Sequence, residues 1–78
     1  MVARLVLWSL ADTAVTVADL RDELPYDTRE TWFFDEGTER VGSFAVFATA
    51  DDAAEPLPER LRELIGKEPD IFELFDTA

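Results

Sequence analysis

The chain has 78 residues and a formal net charge of −11, from 7 basic and 18 acidic side chains. A field of this sign repels nucleic acids and anionic membranes, which excludes both as partners. The sequence contains no Cys, no His and no acidic loop with calcium-binding spacing. Disulfides, thiolate metal sites and the commonest general base near neutral pH are therefore excluded.

Residues 3–10 are rich in strand-forming side chains and predict the first strand. Val6, Trp8 and Leu10 alternate along it with Leu5 and Leu7, so both sides of the strand are apolar. Such a strand is buried on both sides, which favours a central place in its sheet.

Residues 16–24 predict the first helix. Thr16 and Asp19 have the spacing of a capping box at its start, and Pro25 ends it. Three apolar residues share one helical face: Val17, Leu20 and Leu24.

Residues 29–34 and 40–49 predict two strands joined as a hairpin. A type I turn over residues 34–37, with Gly37 left-handed, gives a three-residue loop with a bulge. A four-residue loop shifts the register by one residue, and the sequence leaves both open. Trp32 and Phe34 share one side of the second strand, and Phe33 lies on the other.

Residues 49–52 predict a short helical turn that Pro56 interrupts. Pro58 suits the first position of a second helix, which extends to about Ile65 and ends at Gly66. Its apolar stripe consists of Leu57, Leu61, Leu64 and Ile65. Residues 70–76 predict the last strand, with Phe72 and Leu74 on one side and Ile71 and Phe75 on the other.

The element order predicts one ferredoxin-like α+β domain over residues 1–78, with an antiparallel four-stranded sheet and two helices on one face. All four strands carry apolar residues on both sides, although a sheet side that meets water is usually polar. We therefore expect a second copy to cover the free side in a two-fold homodimer. The alternative is a monomer with an exposed apolar face.

The stretch "ETWFFDEGTERVGSFAVFATADDAAEPLPERLRELIG" and the later "FELFD" resemble the dimeric α/β-barrel superfamily, above all the YdhR-like monooxygenases and the antibiotic-biosynthesis monooxygenases. The shared pattern is an aromatic strand, an acidic turn with Gly, an Arg and a Gly opening the next strand, and a Thr-capped segment of acidic residues and Ala. It falls on Trp32, Asp35, Glu36, Arg40, Gly42, Phe47, Thr49, Asp52, Ala53 and Ala54. The chain is shorter than typical members, and its second helix is broken by proline. The lack of His also disfavours haem-degrading or His-dependent activity.

The resemblance implies a small cavity, between sheet and helices or within the dimer barrel, that holds a planar or hydrophobic metabolite. The implied activity is that of a cofactor-independent enzyme, a monooxygenase or a cyclase/isomerase, acting on a small aromatic or polyketide-like compound without metal or flavin. An apolar pocket with aromatic walls and one or two polar groups suits such chemistry. The alternatives are a non-catalytic small-ligand-binding or protein-interaction module of the same fold, or a dimer whose helical face docks on a basic partner.

The candidate catalytic residues are Tyr26, Trp32 and Ser43, and the candidate substrate-binding residues are Trp8, Phe34, Phe44 and Arg40. Each also has a simpler structural interpretation, such as core packing for the two Trp residues and hydrogen bonding along a strand for Ser43. Three arginines are either anion holders or ion-pair partners: Arg4, Arg29 and Arg40. Two acids, Glu30 and Glu73, become general-base candidates only if they point inward, because burial raises the pKa of a carboxyl group.

Residues 1–8 are apolar but too few for a signal peptide or a membrane span, so we expect a cytoplasmic protein. The single Lys beside 18 acidic residues is typical of a GC-rich genome and also of a salt-adapted surface. The sequence leaves both explanations open.

Overall fold

The computed structural model of the protein describes residues 1–24 and 30–77. Its elements in chain order are β1 (Val2–Ser9), α1 (Val17–Glu23), β2 (Glu30–Asp35), β3 (Arg40–Phe47), α2 (Ala50–Ala53), α3 (Glu59–Ile65) and β4 (Ile71–Asp76). The strands form an antiparallel sheet in the order β2-β3-β1-β4, with the helices packed on it. This is the predicted small α+β domain with a ferredoxin-like fold, and β1 has the predicted central place.

One side of the sheet packs against the helices, and we call it the helix side. Alternate residues of β1 bury their side chains there, because successive strand residues point to opposite sides. The core cluster on this side consists of Val6, Trp8, Leu10, Val17, Leu20, Leu24, Val41, Leu57, Leu61 and Ile65. The apolar stripes predicted for the helices now labelled α1 and α3 are therefore confirmed, because both stripes face the core.

The helix ends follow the predicted capping. The Thr16 Oγ1 accepts a hydrogen bond from the Asp19 N–H at 3.2 Å, and the Asp19 carboxylate accepts one from the Thr16 N–H at 3.0 Å. Gly66 ends α3 in the left-handed conformation, with φ 90°. Pro58 differs slightly from its prediction, because its extended backbone makes it the residue before the first helical position.

The hairpin has the four-residue loop, the second of the two alternatives that the sequence left open, and Gly37 is not left-handed. Asp35 pairs with Arg40 across the strands, and the loop between them has its left-handed residue at Glu39, with φ 52°. The Asp35 carboxylate accepts hydrogen bonds from the Thr38 N–H and hydroxyl, and these bonds stabilise the four-residue loop. This register pairs Phe34 with Val41 and Trp32 with Ser43, so both aromatic rings lie on the helix side.

The opposite side of the sheet contributes no residue to this core cluster, and we call it the open side. Cross-strand pairs place Ala3, Leu5, Leu7, Phe33, Gly42, Phe44, Val46, Ile71 and Phe75 there. Phe33, Phe44, Val46 and Phe75 are 37, 44, 43 and 48% exposed. The predicted apolar character of both sheet sides is confirmed.

Candidate functional site

Four of the candidate site residues gather on the helix side. Trp8, Trp32, Phe34 and Ser43 come from three neighbouring strands, and register places Ser43 between Val6 and Trp32. Their closeness follows from the alternation of side chains along β1, β2 and β3. The sequence predicted that Trp32 and Phe34 share a side, but only the hairpin register decides that this side faces the helices.

Trp8 and Trp32 form a stacked pair, with ring centroids 6.4 Å apart and planes inclined by 14°. Trp8 has no exposed surface, and its indole N–H donates to the Lys67 carbonyl at 3.3 Å. Its polar atom is therefore satisfied within the protein, and its ring offers no surface to a ligand. Trp8 acts as a core residue that packs the loop before β4 against the end of β1.

Trp32 differs from Trp8 in one respect that bears on function. Its indole N–H is buried and has no hydrogen-bond partner among the described residues. An unpaired buried donor costs about 1–3 kcal/mol, so it is unusual in a packed interior. Its neighbour Ser43 is 1% exposed, which places a hydroxyl inside the same layer.

The most strongly buried charge among the described residues lies on the same side of the sheet, on strand β1. Arg4, at the centre of the sheet, is 6% exposed and its Nη2 donates to Glu30 Oε1 in an ion pair. The Arg4 guanidinium carbon lies 4.8 Å from the centre of the Phe47 ring and 5.9 Å from that of Phe72. Burial lowers the pKa of Arg4, because the charged form loses hydration.

The Arg4–Glu30 pair only partly matches its prediction. Arg4 is the expected ion-pair partner, and Glu30 points inward as the general-base interpretation required. The carboxylate, however, is held in an ion pair with the Arg4 guanidinium. The Arg4 Nε–H is buried without a hydrogen-bond partner, and neither this orphan donor nor the two aromatic rings could be predicted before the register was known.

The remaining candidates lie elsewhere. Phe44 and Arg40 are on the open side, separated from the tryptophans by the thickness of the sheet. Arg40 is paired with Asp35 at 2.9 Å and donates to Thr38 Oγ1 at 2.7 Å, as the ion-pair interpretation predicted. Tyr26 and Arg29 lie outside the described residues. Glu73 is solvent-exposed on the open side, opposite Leu5.

A cleft of about 430 Å³ lies at the end of α3. It is lined by Glu59, Arg62, Glu63, Gly66, Lys67 and Glu68, none of which is a candidate site residue. Lys67 is engaged by Asp12 at 2.8 Å and Asp70 at 3.0 Å, and Asp70 also accepts a hydrogen bond from the Ser9 N–H. These contacts anchor the loop before β4 and leave the cleft without a free cation at Lys67.

Within residues 1–24 and 30–77, no group of three or more acidic, His or Cys residues is arranged to hold a metal ion. No helix in that part of the chain is long and apolar enough to cross a membrane. No known family model matches this sequence, and none of the curated proteins matches it either.

Proposed function

We propose that the chain is an interaction module whose first partner is a second copy of itself, bound through the open side of the sheet. The observation that carries this proposal is the row of exposed apolar side chains on that side, Phe33, Phe44, Val46 and Phe75. Exposed apolar patches of this kind mark interaction surfaces in soluble proteins. A second copy covers the row with an identical row, as two-fold symmetry requires.

The size of the open side fits a small symmetric interface. Four strands of six to eight residues span roughly 20 Å by 20–26 Å, or about 400–500 Å² in projection from each copy. Two copies together bury about 800–1,000 Å², which is the size of a weak or transient interface.

The charges on the open side are compatible with such an interface. Asp35 and Arg40 neutralise each other at the end of the hairpin, and Glu73 is an exposed acid on edge strand β4. The net charge of −11 on each copy opposes association at long range, and salt screens this repulsion. We therefore expect the dimer to form at physiological ionic strength and to tighten at about 1 M salt, where the screening length is about 3 Å.

Two phenylalanines provide a matched test of the interface. Phe44 is 44% exposed on the open side, and Phe72 is 38% exposed on the helix side. Phe44→Ser removes on the order of 1–2 kcal/mol of apolar burial from each copy, so the dissociation constant rises at least about 30-fold. Phe72→Ser leaves it unchanged. Sedimentation velocity at micromolar concentration is expected to show twice the 8.8 kDa chain mass for wild type and for Phe72→Ser, and a shift to monomer for Phe44→Ser.

A monomeric wild type at about 1 M salt refutes the proposal. Equal effects of the two substitutions refute it as well, because the open side then has no special role.

A second candidate function follows from the buried polar groups on the helix side. The orphan donors of Arg4 and Trp32 support the binding of a small aromatic or polyketide-like metabolite, in keeping with the resemblance to cofactor-independent monooxygenases. Trp32 is the described candidate residue that would contact the reacting compound, because Ser43 is only 1% exposed. Oxygen uptake with a hydroquinone substrate, lost in Trp32→Phe and retained in Phe44→Ser, tests this function. If the wild-type protein shows no turnover, the catalytic function is rejected and the non-catalytic interaction module stands.

A further inference from the structure

The helices leave part of the helix side uncovered, at the edge strand β4. Phe72 and Leu74 point to this side, because they pair across β1 with Val6 and Arg4, yet each is 38% exposed. We call these two side chains the β4 shelf. The open-side dimer does not cover the shelf, because the two lie on opposite sides of the sheet.

A buried cation lies at the inner margin of the β4 shelf. Arg4 is directly opposite Leu74 in the register, and its guanidinium carbon lies 5.9 Å from the centre of the Phe72 ring. Phe47 lies on the other side of the guanidinium, at 4.8 Å. An arginine has five N–H donors, and the Glu30 carboxylate accepts a hydrogen bond only from the Nη2 group of Arg4.

The Nε–H of Arg4 supplies the second, independent observation. It is buried without a partner in a residue that is 94% buried, since Arg4 is 6% exposed. Such a donor is costly unless a group from outside accepts its hydrogen bond. A carboxylate oxygen is the strongest common acceptor for a guanidinium N–H.

We propose that the β4 shelf and Arg4 form a binding site for a planar aromatic monocarboxylate. The carboxylate accepts the Nε–H of Arg4, and the aromatic ring packs on Phe72 and Leu74. This site lies beyond the proposed dimer interface and does not depend on it. It names a ligand class for the helix side, which the second candidate function left general.

The net negative charge of the protein favours a ligand that carries a single negative charge. One carboxylate beside Glu30 already gives the guanidinium two anionic partners. A second negative charge on the ligand adds repulsion without a second cation to meet it, in a chain with a net charge of −11. A monocarboxylate therefore binds better than a dicarboxylate or a phosphate ester of the same ring.

Three small molecules separate the contributions of ring and charge. We expect 2-naphthoate to bind saturably to the full-length protein, with a dissociation constant of about 1 mM or below by isothermal titration calorimetry. The neutral analogue 2-naphthamide should bind about tenfold more weakly, because it loses the charge-assisted hydrogen bond. Cyclohexanecarboxylate tests the contribution of the flat ring and should also bind more weakly. In ¹⁵N-labelled protein, 2-naphthoate should move the Arg4 Nε–H resonance and leave the Trp8 indole N–H in place.

The double variant Arg4→Met/Glu30→Leu removes the anion-binding group without leaving an unpaired charge. Its matched control is Arg62→Met/Glu68→Leu, which removes a more exposed Arg–Glu pair joined at 3.0 Å. The Arg62 Nε–H is also buried without a partner, but Arg62 does not lie at the β4 shelf. Binding of 2-naphthoate should be lost in the first variant and retained in the second. Wild-type binding that is absent, that is equal for the amide, or that survives Arg4→Met/Glu30→Leu overturns the proposal.

The dimer proposal and the binding-site proposal can be tested independently of each other. Phe44→Ser should dissociate the dimer and still bind 2-naphthoate, whereas Phe72→Ser should keep the dimer and weaken binding. A Phe44→Ser chain that loses binding when it becomes monomeric contradicts the site described here, because its residues all belong to one copy.

Discussion

Replacing Glu30 alone should destabilise the protein far more than replacing Arg4 and Glu30 together. The Arg4 side chain is 7% exposed and that of Glu30 17%, so Glu30→Leu leaves a buried guanidinium without its carboxylate. Breaking a buried ion pair from one side costs about 3–5 kcal/mol, whereas replacing both partners with apolar groups is often nearly neutral. The cation–π contacts with Phe47 and Phe72 are present both in wild type and in the single variant, so they do not change this cost.

The expected values follow from these exposures. Glu30→Leu should lower the free energy of unfolding by about 3 kcal/mol. Arg4→Met should lower it by about 2 kcal/mol, because the carboxylate that remains is the more exposed partner. The double variant Arg4→Met/Glu30→Leu should lie within about 1 kcal/mol of wild type, which gives a coupling energy of about 4–6 kcal/mol.

Urea unfolding followed by tryptophan fluorescence measures these differences. The protein concentration must be the same for all four proteins, because dimerisation adds to the apparent stability. Additive effects in the double variant, or single-variant losses below about 1 kcal/mol, would refute the reasoning that this pair is buried and mutually dependent.

Three further predictions concern the sheet and its hairpin. A Cβ on Gly42 would meet the Phe33 ring and the backbone oxygen of Val6, so Gly42→Ala should lower the free energy of unfolding by about 2–3 kcal/mol. Gly37→Ala is the control, since its Cβ meets only the Asp35 carboxylate at 3.5 Å. Equal stability of the two variants in urea would contradict this packing. Thr38 and Arg40 lower the pKa of Asp35 to about 2, so its contribution to stability is present above about pH 4 and is lost as the pH falls towards 2. The difference in melting temperature between wild type and Asp35→Asn should therefore shrink from pH 5 to pH 2, and a constant difference would contradict it. The backbone of Glu39 is left-handed, so Glu39→Gly should be about 1 kcal/mol more stable to urea than Glu39→Ala. Both variants lose the hydrogen bond that the Glu39 carboxylate accepts from the Val17 N–H, so this loss cancels in the comparison. The reverse order of stability would contradict the left-handed backbone.

Much of the fold could be predicted because local signals agreed with one another. Thr16 and Asp19 define the start of α1, Gly66 ends α3, and the alternation around Trp8 indicates a central strand. These features depend on spacing along the chain, which the sequence shows directly.

The hairpin loop could not be predicted from the same kind of signal. Gly37 is the residue best suited to a left-handed turn, yet Glu39 adopts that conformation. The longer loop lets Phe34 pair with Val41 and Asp35 with Arg40, and its end is fixed because Glu39 O accepts the Leu10 N–H at 2.7 Å. Contacts with distant parts of the chain therefore outweigh the local preference of glycine.

The candidate site was only partly predictable for the same reason. The pairing of Trp32 with Ser43 and of Arg4 with Leu74 depends on strand register, which joins residues far apart in sequence. Phe44 and Arg40 were grouped with the tryptophans by residue type, but the sheet places them on its other side. The orphan Nε–H of Arg4 is a property of three-dimensional packing and has no sequence signal.

Contacts between copies report on the packing of two open sides against each other. Wild-type chains labelled with ¹³C and ¹⁵N can be mixed with unlabelled chains, so that isotope-filtered NOE spectra report only contacts between copies. We expect NOEs between copies from the methyl groups of Leu5, Leu7 and Val46 to aromatic protons of Phe44. NOEs that arise instead from the helix-side residue Leu74, or none at all at concentrations where the dimer forms, would contradict this packing.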